Sequence, residues 1–529
     1  MTIVIALIAF LFGLCLIISI HELGHFMFAK KYNVLCYDYS IGMGPLIYGK
    51  KKGETTYGIR AIPLGGFVAM ADGDMNNSLL EKDLEIGLNL DEENRVTEII
   101  LNNCKECQIK GKIVDRDLYC EDGKNPFIIL SADGVETNYE VKVDAYIYIK
   151  EKKSMQIAPY NRCFESKGKW PRFVMLFAGP MMNFILAMFL FIVAGFFVGK
   201  PSSKPIIGSL SETYKLDKKE YATPVAEAGL KKGDIIVKIN TKTIEKWNDI
   251  DCITEELKNS TTSTVTITYS RDGVVQEPTE VRPMVYLGNI GLFGNISEYK
   301  DVDGAEVFVY TSKAKSAGFE NYDIVTKIGD KEIHSWSDLI TFCTDEENDG
   351  KEFDVIVLRK GSEKTFKTNL MKKSTVTSIK DLEFFKGTIG ISPKTHFDFF
   401  YSFAYAFRSF GESAISVWKT LALLFTSKDV GVKDLSGPVG IFALIKNSLA
   451  GGFVNYVYFL GFLSVNIGLV NLLPIPALDG GRIVFVGIEA VTRKKVNKKF
   501  EDTLTMIVFI LLMGLLLYIS FNDVLRLKG

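Results

Sequence analysis

The sequence predicts a polytopic α-helical membrane protein, with about four transmembrane helices, two tandem α/β domains on one side and a small β-rich insert on the other. Three observations predict it. Four uncharged apolar blocks, Thr2–Ile20, Phe173–Val198, Phe453–Leu473 and Leu504–Phe521, are each long enough to cross a bilayer. A repeat of fixed period lies between the second and third blocks. The stretch between the first and second is polar, with short alternating runs of β-formers. Hydrophobic residues make up 47% of the 529, and they concentrate in those blocks. A formal net charge of −1 gives no reason to expect a nucleic-acid partner.

Residues 1–36 form the first span. Thr2–Ile20 would measure about 28 Å as a helix. It has no basic leader and no small-x-small cleavage site, so it reads as a retained span and not as a signal peptide. It runs directly into His21-Glu22-Leu23-Gly24-His25. Two His four apart project from one helix face, as two ligands of one metal must. Glu22 is placed to take a proton from water at that metal. Only four His occur in the chain, and two are here. A Glu and two His ending an apolar span are costly without partners, which marks a functional site.

Residues 37–70 are rich in Gly and β-formers. Ile41-Gly-Met-Gly-Pro45 and Pro63-Leu-Gly-Gly-Phe67 flank Lys50–Gly53, which predicts one or two membrane-associated hairpins. Such backbone is tolerated at membrane depth where it packs on protein or lines a wet cavity. A hairpin beside the metal offers an edge for a substrate strand, with Gly65 and Gly66 as candidate contacts. Residues 71–165 read as a β-rich cytoplasmic insert, with alternation in Phe127–Leu130 and Tyr139–Ile149. Cys104, Cys107 and Cys120 lie in it, but it has no His and no fourth ligand at zinc-ribbon spacing, so free thiols are expected. The eight Cys of the chain are scattered and imply no disulfide framework.

The second span occupies residues 166–200. Beyond it, Ala228-Gly-Leu recurs as Ala317-Gly-Phe, Asp234-Ile as Asp323-Ile, Lys238-Ile as Lys327-Ile, and Trp247-x-Asp249 as Trp336-x-Asp338, always 89 residues on. Four matches in one register indicate duplication, with copies at 205–295 and 296–373. Each copy reads as an Ala-Gly turn, a strand, a short hairpin, a helix from Trp-x-Asp and a strand pair. That order, with Ala-Gly-Leu-x-x-Gly-Asp intact in the first copy, resembles a PDZ domain, a fold that binds chain ends or strands. Its ligand is not legible. Asn321-Tyr322 replaces Lys232-Gly233 in the second copy, so a different turn is expected there.

Residues 374–450 read as a linker and an amphipathic interfacial helix. Across Tyr401–Thr426, Ser409, Glu412, Ser413, Ser416, Lys419 and Thr420 share one face. His334 and His396 have no ligand-spaced neighbours. Residues 451–529 hold the third and fourth spans. Two His do not complete a catalytic zinc site, which usually has three protein ligands and a water. The best third candidate lies in Asn471-Leu-Leu-Pro-Ile-Pro-Ala-Leu-Asp-Gly-Gly481, where Pro474 and Pro476 break the third span and Asp479 follows at the depth of the His pair. Basic residues follow span one (Lys30, Lys31, Lys50–Lys52, Arg60), precede span two (Lys167, Lys169, Arg172) and lie between spans three and four (Arg493–Lys495, Lys498, Lys499). The positive-inside rule puts these connections in the cytoplasm and the tandem repeat outside.

These motifs, with Phe177-Ala-Gly-Pro-Met-Met-Asn183 in span two, resemble the site-2 protease family of intramembrane zinc metalloproteases. Gln156-Ile-Ala-Pro-Tyr-Asn-Arg162, Leu435-Ser-Gly-Pro-Val-Gly440, Phe521-Asn-Asp523 and the repeat make it similar to the bacterial RseP/RasP type, nearest the Firmicute RasP branch. The resemblance covers nearly the whole chain. It implies a multi-pass protein of the bacterial cell membrane that cuts single-pass membrane proteins within their span, typically a pre-trimmed anti-sigma factor. It implies one zinc ion on His21, His25 and Asp479, with Glu22 as catalytic acid and base. Asn471, Pro474 and Pro476 match positions that handle the substrate segment. Two rivals remain for the residues taken alone. A non-proteolytic PDZ receptor with a structural metal would need a closed four-ligand site. A metal transporter would need ionisable groups along a path across the bilayer, and here they cluster at one end.

Overall fold

The computed structural model describes all residues except 1–2, 74, 103, 133, 151–152, 217–218, 260–263, 296–302, 378–381, 427–430, 432–434 and 529. The chain divides into two units, Met1–Phe191 with Ser436–Gly529, and Ile192–Leu435. Among the described residues, four helices are long and apolar enough to cross a membrane. Numbering only the long helices, these are α1 (Ile3–Lys31), α2 (Lys169–Val198), α5 (Phe453–Asn471) and α7 (Lys498–Lys528), with α3 (Phe399–Thr426), α4 (Pro438–Ala450) and α6 (Asp479–Thr492) beside them.

In the first unit, α1 buries Ala6, Phe10, Leu14, Ile17, His21, Gly24 and His25, a stripe at three- and four-residue spacing. The His pair continues that stripe, so the helix face that packs inward is the one that carries the imidazoles. Tyr456 Oη of α5 donates to the Ala9 carbonyl of α1 at 2.8 Å, and Ser464 Oγ of α5 donates to the Asn183 carbonyl of α2 at 2.7 Å. These bonds tie three spans together where the lipid supplies no partners. α4 starts at Pro438, and Asp523 of α7 accepts from the Gly437 and Gly440 N–H groups at 2.8 Å each. A carboxylate there satisfies two donors that a helix start leaves open. Two of the quoted motifs thus meet.

Strands β1 (Cys36–Lys52) and β2 (Thr55–Met70) fold back on themselves as nested hairpins. Asp38–Ile41 pairs on one side with Gly66–Ala69 and on the other with Thr56–Ile59, which also pairs with Tyr48–Lys51. Gly66–Ala69 is therefore an edge. The insert is a small barrel: strands from Glu85 to Lys150 form one path, and parallel pairing of Val96–Ile100 with Val141–Tyr148 closes it. Leu88, Ile99, Ile113, Ile128 and Ile147 fill its core. All eight cysteines carry free thiols.

In the second unit both copies of the repeat show the same scheme. Ile235–Ile239 pairs with Val265–Arg271, and Asp323–Ile328 pairs with Glu352–Arg359. A helix precedes the second strand of each pair, Cys252–Asn259 in one copy and Trp336–Thr344 in the other. Arg271 donates to Asp234 and to the Gly229 carbonyl, as Arg359 donates to Asp323 and to the Gly318 carbonyl. The copies are not split at residue 295. Met284–Leu287 and Leu292–Asn295 join the sheet of the second copy, where Leu292–Phe293 pairs with Phe308–Val309. Along α3, Ser402, Ala406, Ser409, Ser413 and Val417 are buried, while Phe400, Phe407, Ile415 and Trp418 face outward. His396 sits in an exposed two-residue strand against Lys200–Pro201, and His334 pairs with Asp303.

Candidate metal centre

Three ligand atoms from opposite ends of the chain converge. His21 Nε2 and His25 Nε2 lie 3.2 Å apart. Asp479 Oδ2 lies 3.2 Å from the first and 3.4 Å from the second. A regular tetrahedron with edges of that size places its centre about 2.0 Å from each corner, the bond length zinc makes to imidazole and carboxylate. Oδ2 of Asp479 is buried and makes no hydrogen bond among the described residues, although two ring nitrogens are close. Three ligand atoms gathered this closely, one of them a buried carboxylate oxygen without a hydrogen-bond partner among the described residues, fit a metal ion. The donor set of two imidazoles and one carboxylate also suits zinc, with a fourth position left for water. Among the described residues this is the single cluster of His, Cys, Asp and Glu with that geometry.

Local structure explains the convergence. α5 ends at Asn471, and a turn through Pro474 and Pro476 leads to Asp479, the first residue of α6. The turn is tight enough that a Cβ on Gly480 would lie 2.3 Å from the Leu473 carbonyl oxygen. Ala477, with φ +81°, is held in a left-handed conformation that costs a non-glycine residue about 1–2 kcal/mol. The facing wall is α2. A Cβ on Gly179 would lie 2.2 Å from His25 Nε2 and 2.9 Å from His21 Cε1, so glycine keeps the space beside the imidazoles open.

The triad opens into a cavity of about 360 Å³. Glu22, Asn471, Gly65 and Gly66 line it with His21, His25 and Asp479, as do Ala477 and Arg482. Pro474 and Pro476 are not among the residues on its wall and lie in the turn between α5 and α6. Glu22 and Val68 of the hairpin edge line the same cavity. A Cβ on Gly66 would lie 3.1 Å from Glu22 Cγ, so the edge strand approaches this close because residue 66 has no side chain. Gly179, Asn183, Ala477 and Arg482 were not assigned roles from the sequence. The first two lie in the Phe177–Asn183 motif, which was a visible signal without a chemistry attached.

Residues 9–515 match the model of peptidase family M50. The chain belongs to this family, the site-2 proteases, and is a zinc metalloprotease embedded in the membrane. Within the family it is 29% identical to the regulator of sigma-W protease RasP of Bacillus subtilis, over 98% of both chains. It is 29% identical to the zinc metalloprotease RasP of Oceanobacillus iheyensis and 27% to that of Shouchella clausii, over 98% of this chain and 99% of each relative.

Proposed function

We propose that this protease cuts single-pass membrane proteins inside their spanning segment, using one zinc ion held by His21, His25 and Asp479. The observation that carries the reading is the triangle of ligand atoms with edges of 3.2, 3.2 and 3.4 Å beside a Glu in an open cavity. When bound, zinc lowers the pKa of a coordinated water to about 7 and polarises the scissile carbonyl. Glu22 takes the proton from the attacking water and delivers it to the leaving amide nitrogen. A substrate helix hides its carbonyls in internal hydrogen bonds and must unwind first. The Gly66–Ala69 edge offers it replacement partners, with Gly65 and Gly66 letting the strand come close and Asn471 facing it across the cavity. Pro474 and Pro476 hold the turn that presents Asp479.

In this reading the basic connections face the cytoplasm and the cleavage site lies near that side. The two copies of the repeat, with Met284–Asn295 in the sheet of the second, are extracytoplasmic PDZ-like domains, supported by the order of their strands and helices and by the paired Asp234–Arg271 and Asp323–Arg359 contacts. They screen substrates before entry. α3 lies against the lipid with its apolar side outward. The relative in Bacillus subtilis is named for sigma-W regulation, and a membrane-anchored anti-sigma factor, already shortened outside, is the substrate class proposed here.

The test is a comparison of membrane proteomes from cells carrying wild type or Glu22→Gln. Amide replaces carboxylate without change of size, so zinc binding persists and proton transfer stops. Truncated single-pass proteins should accumulate in the Gln strain. Identical proteomes would refute proteolysis by this site.

A further inference from the structure

The Phe177–Asn183 motif of α2 passes the metal triad without supplying a ligand. A neutral imidazole has one N–H and one lone pair. For Nε2 to offer its lone pair to a metal, Nδ1 must carry the hydrogen and needs an acceptor facing it. His25 has one: its Nδ1 lies 2.8 Å from the Met175 carbonyl, which can only accept. That contact fixes the ligating tautomer of His25.

His21 Nδ1 faces a side-chain amide instead. Asn183 Nδ2 lies 3.2 Å from it, and Asn183 Oδ1 is buried with no hydrogen-bond partner among the described residues. Asn183 itself is fully buried. An amide N–H pointed at Nδ1 would force the hydrogen onto Nε2 and aim it at the metal position. A half-turn of the amide, which leaves its shape unchanged, puts Oδ1 opposite Nδ1 and gives that oxygen its partner. The backbone is already held in place, because Ser464 Oγ of α5 donates to the Asn183 carbonyl at 2.7 Å. Gly179 lies one turn earlier on the same face and leaves room for the rings.

We propose that Asn183 is a positioning residue for His21: its side-chain oxygen accepts from Nδ1–H and so selects the tautomer that binds zinc. This rests on the reading of His21 as a ligand. Span two then has a division of labour, with Gly179 and Asn183 of the motif making space and orienting His21, and Met175, just before the motif, orienting His25.

The test uses purified full-length protein in nanodiscs and reads zinc affinity by competition with a chromophoric chelator, so that it does not depend on turnover. Asn183→Leu keeps the forked shape, though with bulkier ends, and removes the acceptor. It should weaken zinc binding about 10–100-fold, the usual effect of removing an outer-shell partner. Asn183→Asp keeps an acceptor oxygen and should hold zinc at least as well as a tenth of wild-type affinity. If the Leu variant binds zinc like wild type, or the Asp variant loses as much as the Leu variant, Asn183 is only packing and the inference is wrong. Should Asn183→Leu fail to fold, the Asp variant and the ring-nitrogen NMR shifts of His21 in metal-free wild type still decide, since a hydrogen on Nε2 there overturns the proposal. His21→Ala separates the two levels: if it binds zinc as tightly as wild type, the ligand assignment fails, whereas an unaffected Asn183→Leu beside a zinc-free His21→Ala overturns only the role of Asn183.

Discussion

Replacing Gly179 by Ala sets two opposed effects against each other. Ala in a helix interior is favoured over Gly by roughly 0.5–1 kcal/mol, because Gly loses more backbone entropy on folding. On propensity alone α2 should gain stability. The added Cβ would, however, lie 2.2 Å from His25 Nε2 and 2.6 Å from its Cε1, where ordinary contact begins at 3.4 Å. The nearest atoms belong to a ring that is buried and tied through Nδ1 to the Met175 carbonyl, so it has little freedom to retreat. The ring must move by roughly 1 Å, while metal sites hold their ligand distances within about 0.2 Å.

A misplacement of that size costs about 10²-fold in rate, or about 2.7 kcal/mol of transition-state stabilisation. The clash therefore outweighs propensity at the site, while the fold is left intact. The assay is cleavage of a tagged single-pass substrate in nanodiscs, with zinc content and thermal unfolding measured on the same samples. Gly179→Ala should lose about a hundredfold in rate and most of its zinc, without a fall in the melting temperature of the metal-stripped protein. Wild-type rate with a full complement of zinc would refute the claim that α2 walls the site.

Gly66→Val would drive a side chain against Ile18 and Glu22, with a Cβ 2.9 Å from Ile18 Cγ2 and 3.1 Å from Glu22 Cγ. Turnover should fall by about tenfold or more while zinc is retained, and loss of zinc instead would show that the hairpin supports the ligands and not the acid. Asp523→Leu would strip two N–H groups at the start of α4 of their acceptor and cost about 1–3 kcal/mol. Asp523→Asn, which keeps one oxygen, should cost less, and thermal unfolding of the pair measures the difference. Asp234 gives a pH dependence outside the membrane. Burial raises its pKa, but hydrogen bonds from Arg271 and from the Lys231 N–H outweigh burial and hold it below the ordinary carboxylate value. A depressed carboxyl contributes stability that is complete above its unfolded pKa, about 3.9, and is lost as pH falls through the lower folded value. Urea resistance of the repeat region should thus be flat from neutral pH to about 5 and fall below about 4, and an Arg271→Gln variant with the same profile would remove Asp234 as the cause.

The sequence made some of this legible and hid the rest for identifiable reasons. Helical spacing put His21 and His25 on one face, and an Asp beside a proline-broken span was conspicuous because carboxylates there are expensive. The 89-residue offset announced the duplication, since Asp234 and Asp323 must each sit opposite an Arg in the folded copy. α6 was missed because Arg482 and Glu489 interrupt its apolar pattern and its first residue was accounted for as the end of a turn. The barrel closure was missed because pairing of Val96–Ile100 with Val141–Tyr148 joins segments with no local signature of each other. Nor could any pattern divide Met284–Asn295 from the first copy, because strand exchange between neighbouring sheets leaves the alternation of each strand unchanged. Asn183 marks where this kind of reading stops. Periodicity assigns a residue to a face of a helix about 100° wide, whereas the tautomer of His21 is decided by which one of two atoms of a single amide stands 3.2 Å away. A motif can therefore be conspicuous in the chain and silent about its chemistry until the partner on another helix is located.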